Sequence, residues 1–321
     1  MHSTQYRVVF LEGGKKKITF TDDEGREKFL AEIAAGFEEQ ERFRAPELLK
    51  SVIPFQAPGK TICVDPVPAR DNLPPLLALV PENGRLERLP LVLLAHGFES
   101  SKEKMLRYGI RFAAAGFFTV LMDAPLHGER YEAAEFRKRF EFGPDPRRSW
   151  VNRLEIMGVF LEEVLRLIKH YVGDPRVDPD KIGVAGISMG GTVSLLAAAK
   201  DPRVKAAVAF VPVVDFESAN PVIKQMKIPP AVLGTIRALD PVHVIQKAPE
   251  GAILIQCGAE DGIVGVEGAR NLDAVLRDYY SGNPGKYRYV EYAGVGHDVT
   301  LPMADDAVKW MREQLGAVGQ E

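Results

Sequence analysis

From about residue 75, short unbroken apolar runs alternate with stretches long enough for helices, and no other feature limits the fold so tightly. "LPPLLALV" and "LPLVLLAHG" are the first two runs. "FFTVLMDAP" follows a helical stretch near residues 103–115, and "KIGVAGIS" follows a long amphipathic run over 151–171. "VKAAVAFVPV", "GAILIQCGAE" and "YRYVEYAG" come later, separated by helix-length sequence. Strands that are apolar on both faces must be covered on both faces, and strands alternating with helices pair in parallel. The expected architecture is α/β, a mostly parallel central sheet with helices on both faces. A chain of 321 residues with 46% hydrophobic content can bury the core that such a sheet needs.

The first 60 residues read differently. "YRVVFLEGGKKKITF", residues 6–20, has two strand-like runs around Gly13 and Gly14, the pattern of a hairpin. Thr21 and Glu24 have capping-box spacing ahead of a helix with Phe29, Leu30, Ile33 and Phe37 on one face. The expected division is an N-terminal hairpin-plus-helix extension at 1–60 and a main domain at 61–321, with a small cap at 214–240.

Several function classes are disfavoured by charge and pattern. The net charge is −3, from 41 basic and 44 acidic residues spread along the chain, so no basic stripe points to nucleic acid. The opening "MHSTQYRVVF" lacks a signal-peptide layout, and no apolar run has the length of a membrane span. Cys63 and Cys257 form neither a disulfide framework nor a C-x-x-C pair. A soluble, cytoplasmic protein is the expectation.

In a parallel α/β sheet ligands bind at the carboxyl ends of the strands. There the chain collects His96-Gly97-Phe98, Asp123 to His127, Ser188, Asp215, Asp261 and His297. Gly186-Ile187-Ser188-Met189-Gly190 fits G-x-S-x-G between a strand and a helix, where glycines let a serine project from a strained turn. A serine hydroxyl needs a base, and His297, in "YAGVGHDVT", follows the last strand. Asp261, in "IQCGAEDGIV", is the carboxylate expected to orient His297, with Asp215 as the alternative acid. Glu260 and Asp298 are disfavoured by spacing and by adjacency to the base. The order Ser, Asp, His is that of α/β-hydrolases. Acyl transfer also needs two N–H donors at the developing oxyanion, and these are assigned to Phe98 and Met189.

With these pieces the chain resembles the α/β-hydrolase superfamily, specifically bacterial carboxylesterases of the dienelactone-hydrolase and prolyl-oligopeptidase-like branch. The resemblance covers roughly residues 75–316 and rests on "LAHGFESSKE", "MDAPLHGER", "GISMGG", "CGAEDGIV" and "GVGHDV", in that order. It implies hydrolysis of simple carboxylic esters without a cofactor. Dienelactone hydrolases proper use cysteine as the nucleophile, whereas this chain has Ser188. Prolyl-oligopeptidase enzymes carry a further large domain, and here about 60 residues precede the hydrolase strands. That extension could pack on the core, border the pocket or help to form a homodimer.

His96, Gly97, His127, Met226 and Leu233 are expected near the substrate. His127, Glu129 and Arg130 are read first as a lock on the loop beside the site, and His96 as a brace of its own loop by hydrogen bonding. A His96–His127–Asp123 metal site lacks a recognised ligand spacing. The cap at 214–240, through Met226, Ile228, Val232, Leu233 and Ile236, and the aromatic-rich stretch 126–150 could supply an apolar acyl pocket. The expected function is a serine carboxylesterase for a small-molecule ester of short to medium chain. A peptidase or amidase, an acyltransferase and a non-catalytic binding module are the alternatives.

Overall fold

The apolar runs become the strands of one twisted sheet. In the computed structural model, residues 6–10, 16–20, 55–57, 60–69, 72–81, 88–140, 146–218, 230–245 and 250–316 are described. The described strands are β1 (Tyr6–Phe10), β2 (Lys16–Phe20), β3 (Phe55–Ala57), β4 (Lys60–Val67), β5 (Leu76–Pro81) and β6 (Leu89–Ala95). They continue with β7 (Phe118–Met122), β8 (Val177–Ile187), β9 (Val204–Phe210), β10 (Ala252–Gly258) and β11 (Tyr287–Tyr292). The spatial order is β1-β2-β3-β4-β5-β7-β6-β8-β9-β10-β11. Strands β7, β6, β8, β9, β10 and β11 run parallel, and β5 pairs antiparallel with β7. β1 and β2 pair antiparallel. The helix expected after Thr21 lies outside the described residues.

The described helices of four or more residues are α1 (Leu106–Ala114), α2 (Ala133–Phe140), α3 (Pro146–Tyr171), α4 (Met189–Lys200), α5 (Pro230–Leu239), α6 (Pro241–Val244), α7 (Glu267–Tyr279) and α8 (Leu301–Leu315). Alternation along each strand assigns the two layers. Val92 and Leu94 of β6 pack in one cluster with Leu106 and Ile110 of α1 and Met303 and Met311 of α8. Leu91 and Leu93 point the other way, toward Phe160 and Val164 of α3 and Val193 of α4. Each buried Leu or Ile contributes about 1.5–3 kcal/mol of transfer free energy, so both faces of β6 are strongly committed. Helix α8 is placed by its ends. The Thr300 hydroxyl accepts from the Met303 N–H, and Gly316 stops the helix at φ 61°.

The segment expected as a cap is partly a covering layer. Ile236 and Leu239 of α5 are buried in the same cluster as Leu154 and Met157 of α3. Residues 219–229, including Met226 and Ile228, lie outside the described residues. Among the described residues no helix is long and apolar enough to cross a membrane.

Candidate active site

Ser188 sits where β8 turns into α4, at φ 53° and ψ −114°, a conformation that a non-glycine residue holds only when its surroundings enforce it. Its N–H donates to the Phe210 carbonyl at 2.8 Å. The flanking glycines answer to close backbone approach. A Cβ at Gly186 would lie 2.3 Å from the Gly190 carbonyl oxygen, and one at Gly190 would lie 2.1 Å from that of Ala95. Thus β8, α4 and the end of β6 meet with no room for side chains, and the Ser188 side chain is carried to the rim of the sheet. The first turn of α4 leaves N–H groups without intrahelical partners beside it, at the positive end of a 12-residue helix.

The loops after β10 and β11 bring His297 and Asp261 together. His297 Nδ1 lies 2.7 Å from Asp261 Oδ2. The other oxygen, Asp261 Oδ1, accepts from the N–H groups of Ile263 and Val264 at 3.0 and 3.1 Å. Burial pushes the Asp261 carboxyl up. The His297 hydrogen bond and these two N–H groups outweigh it and hold the group below the ordinary carboxylate range. Gly258 permits the approach, since a Cβ there would lie 2.1 Å from the Gly296 carbonyl. Glu260 is exposed and Asp298 points to solvent, so neither competes as the partner of His297. Asp215, the alternative acid, accepts from Asn271 Nδ2 at 2.6 Å.

Phe98 follows β6 on a tight loop. Gly97 lets that loop lie against the serine, because a Cβ there would be 3.4 Å from Ser188 Cβ. His96 is fully buried, and its Nε2 accepts from the Ala124 N–H at 3.0 Å. Its Nδ1 is 2.6 Å from the Gly97 carbonyl, so the bonds assign the proton to Nδ1. Burial pushes the His96 ring down to about 4, which keeps it neutral. His127 is buried as well and pushed down by burial to about 3, with Nδ1 2.7 Å from the Pro125 carbonyl.

The "DAPLHGER" segment acts on the same loop. Lys102, 1% exposed at its side chain, reaches Asp123 at 2.6 Å, Glu129 at 2.7 Å and Glu103 at 2.8 Å. Arg130 pairs in two-pronged fashion with Glu163 of α3 at 2.7 and 2.8 Å. Burial pushes the Asp123 and Glu103 carboxyls up, with Lys102 pulling each back. Asp123 and His96 therefore spend their polar atoms inside the protein, and among the described residues no group of three or more potential metal ligands converges.

A cavity of about 350 Å³ opens at these loops. Ser188, Met189, His297 and Phe98 all line it. Its apolar wall comes from Trp150, Leu154 and Met157 of α3 together with Val213, Phe216, Ile263 and Val264. Glu99 and Arg153 are its charged members, and the Arg153 guanidinium lies 4.1 Å from the Phe98 ring centre. Positions 150, 153, 154 and 157 form one helical face, a spacing visible in the sequence, yet of the four only Trp150 fell in a stretch expected at the pocket. Of the residues expected near substrate, His96, Gly97, His127 and Leu233 are not on the wall. The two histidines stand behind it as internal braces, and Leu233 is half-buried on α5. Met226 lies outside the described residues. Lys102 was missed altogether, since lysine is ordinarily a surface residue.

Comparison with known proteins supplies the context for this geometry. The model of the dienelactone hydrolase family matches residues 77–310. The chain is 26% identical over 254 residues to YitV of Bacillus subtilis (strain 168), covering 75% of this chain and 95% of that one. It is 23% identical over 250 residues to YjfP of Escherichia coli (strain K12), with the same coverage of both. Both relatives are named as esterases. The crystal structure of TT1662 from Thermus thermophilus superposes with a TM-score of 0.63 at 25% identity, over 80% of this chain and 99% of that one.

Proposed function

The chain belongs to the dienelactone hydrolase family, and from that premise we propose that it is a serine carboxylesterase hydrolysing short- to medium-chain esters through an acyl-enzyme. The observation that carries this reading is the convergence of Ser188, on its strained elbow, with the His297–Asp261 pair on one cavity. In this reading Ser188 Oγ attacks the ester carbonyl while His297 takes its proton. Asp261 fixes the ring with Nδ1–H toward the carboxylate and stabilises the imidazolium that forms. The N–H groups of Phe98 and Met189 donate to the tetrahedral oxygen and stabilise its negative charge. His297 then returns the proton to the leaving alcohol, and a water molecule repeats the sequence against the acyl-enzyme.

The cavity supports a modest acyl or alkyl group. Its volume is near the lower end of the roughly 300–1,000 Å³ of small-molecule sites, and its wall is mainly aromatic and aliphatic. Purified wild type and Ser188→Ala assayed on p-nitrophenyl acetate, butyrate, octanoate and palmitate test the reading. Ester turnover should fall by about 10⁴–10⁶ in the variant, with the optimum below palmitate. Wild-type turnover in Ser188→Ala would remove Ser188 as nucleophile. Cleavage of an aminoacyl p-nitroanilide with no ester turned over would replace the esterase by an amidase.

A further inference from the structure

The reaction proposed above leaves one group of buried charges without a task. Lys102, Glu103 and Asp123 have side chains 1%, 2% and 0% exposed, and Glu129 closes the group from the surface at 49%. Setting an ammonium among carboxylates inside a protein is a poor way to gain stability, because desolvation offsets most of the attraction. An apolar side chain of similar volume would serve packing as well. The position of the cluster is more informative than its energy.

Both ends of the loop that carries Phe98 are fastened to two consecutive residues. At the start, His96 Nε2 accepts from the Ala124 N–H at 3.0 Å. At the end, the Lys102 N–H donates to Asp123 Oδ1 at 2.8 Å, and Lys102 Nζ donates to Asp123 Oδ2 at 2.6 Å. Asp123 is in turn immobilised. The Glu129 N–H donates to its Oδ2 at 3.0 Å, and Arg130 Nη1 donates to its backbone carbonyl at 3.1 Å. Gly128, at φ 56°, lets the chain wrap this carboxylate, since a Cβ there would lie 2.0 Å from Asp123 Oδ1. A loop of five residues between two such anchors has little freedom left, and Phe98 is its second member.

We propose that Lys102 is a positioning residue for the esterase reaction: anchored on Asp123 with Glu103 and Glu129, it holds the Phe98 N–H on the developing oxyanion. The proposal rests on the serine esterase reading and assigns a task to residues that reading does not use. Lys102 touches no reacting atom. Its effect passes through the peptide chain from residue 102 back to 98. Removing a donor from an oxyanion hole typically costs about 10²–10³ in kcat, and a donor displaced by about 1 Å costs up to about 10².

The test uses the full-length protein, with each variant's active sites titrated by a fluorophosphonate so that kcat is counted per competent serine. Lys102→Met should lower kcat on p-nitrophenyl butyrate about 10- to 100-fold with KM within a factor of two. The dissociation constant of a trifluoromethyl ketone, which mimics the tetrahedral oxyanion, should rise by the same factor. A merely structural role would change the titrated fraction and leave both quantities per site untouched, and that result overturns the proposal. Should Lys102→Met not fold, Glu129→Gln on the exposed side of the cluster decides. A several-fold lower kcat with a matching change in ketone affinity supports the proposal, and wild-type values overturn it. Ser188→Ala runs alongside. If it keeps wild-type turnover, the esterase reading falls and takes the proposal with it, whereas a dead Ser188→Ala beside an unaffected Lys102→Met defeats the proposal alone.

Discussion

On one side of Ser188 the loops after β6 and β7 are joined by buried polar groups, neutral His96 and the Lys102 cluster, and the Arg130–Glu163 pair ties the second loop to α3. On the other side the loops after β10 and β11 are joined, at the level of side chains, through His297 and Asp261. The first side is suited to holding still. The second holds a ring whose side chain is 14% exposed, close enough to the cavity to exchange protons with whatever binds there. An oxyanion donor works only when preorganised, while a general base must accept and release a proton in each half-reaction. On the esterase reading proposed above, the difference in construction follows the difference in task.

The largest expected effect breaks the second side without touching the first. Asp261→Asn keeps the shape of the side chain but presents His297 with the wrong hydrogen-bonding partner, favouring the wrong tautomer. In a serine triad this change costs about 10⁴ in kcat. The two N–H groups of Ile263 and Val264 still find an amide oxygen, so the fold should persist. Steady-state kinetics beside a melting curve checks both halves. Loss of stability parallel to loss of activity would mean that Asp261 braces the loop more than it orients the ring.

Much of this was legible in the sequence. Each apolar run quoted from residue 75 onward became a strand, because a run apolar on both faces has no other economical placement than a sheet covered by helices on both sides. Ser188, Asp261 and His297 were singled out by position, since each follows an apolar run, and the fold sets each just after a strand. The sheet order was not legible: β5 joins antiparallel beyond β7, and no local pattern encodes which neighbour a strand selects. The brace was half seen. His127, Glu129 and Arg130 were weighed as a lock, but Lys102 and Glu163 lie 25 and 36 residues from His127, by the differences 127 − 102 and 163 − 127, and only the fold brings such groups together. Residue type pointed both ways, because His96 and His127 were weighed both as substrate contacts and as braces, and burial shows that they face inward.

A middle-sized effect sharpens the contrast through pH. His96 and His127 are neutral in the fold, held down to about 4 and about 3, mainly by burial. An unfolded chain protonates both near the ordinary histidine value of 6.5. With folded values below unfolded ones, the stabilising contribution is complete above pH 6.5 and is lost as pH falls toward the folded values. For His96 alone this is on the order of 3 kcal/mol between pH 6.5 and 4. Urea midpoints across that window should fall with pH, and His127→Phe should make the decline shallower. An unchanged slope in that variant would show that His127 does not remain neutral in the fold.

The smallest effect compares two ion pairs of the same geometry. Arg130 grips Glu163 with two bonds of 2.7 and 2.8 Å, and Arg270 grips Glu291 beside the β10–β11 side with bonds of 2.8 and 2.7 Å. Glu163 is 7% exposed at its side chain, and Arg130 also reaches the Asp123 carbonyl. The second pair is open, with Arg270 at 54%. Removing one partner of a buried pair strands the other charge, whereas an exposed pair is replaced by water with little change. Arg130→Met should therefore cost about 2 kcal/mol, below the full buried-pair value because Arg130 is itself partly exposed, while Arg270→Met should leave the melting temperature unmoved. Equal losses in the two variants would mean that pair geometry, and not burial, sets the strength of these contacts, and the contrast between the two sides of the cavity would lose its energetic basis.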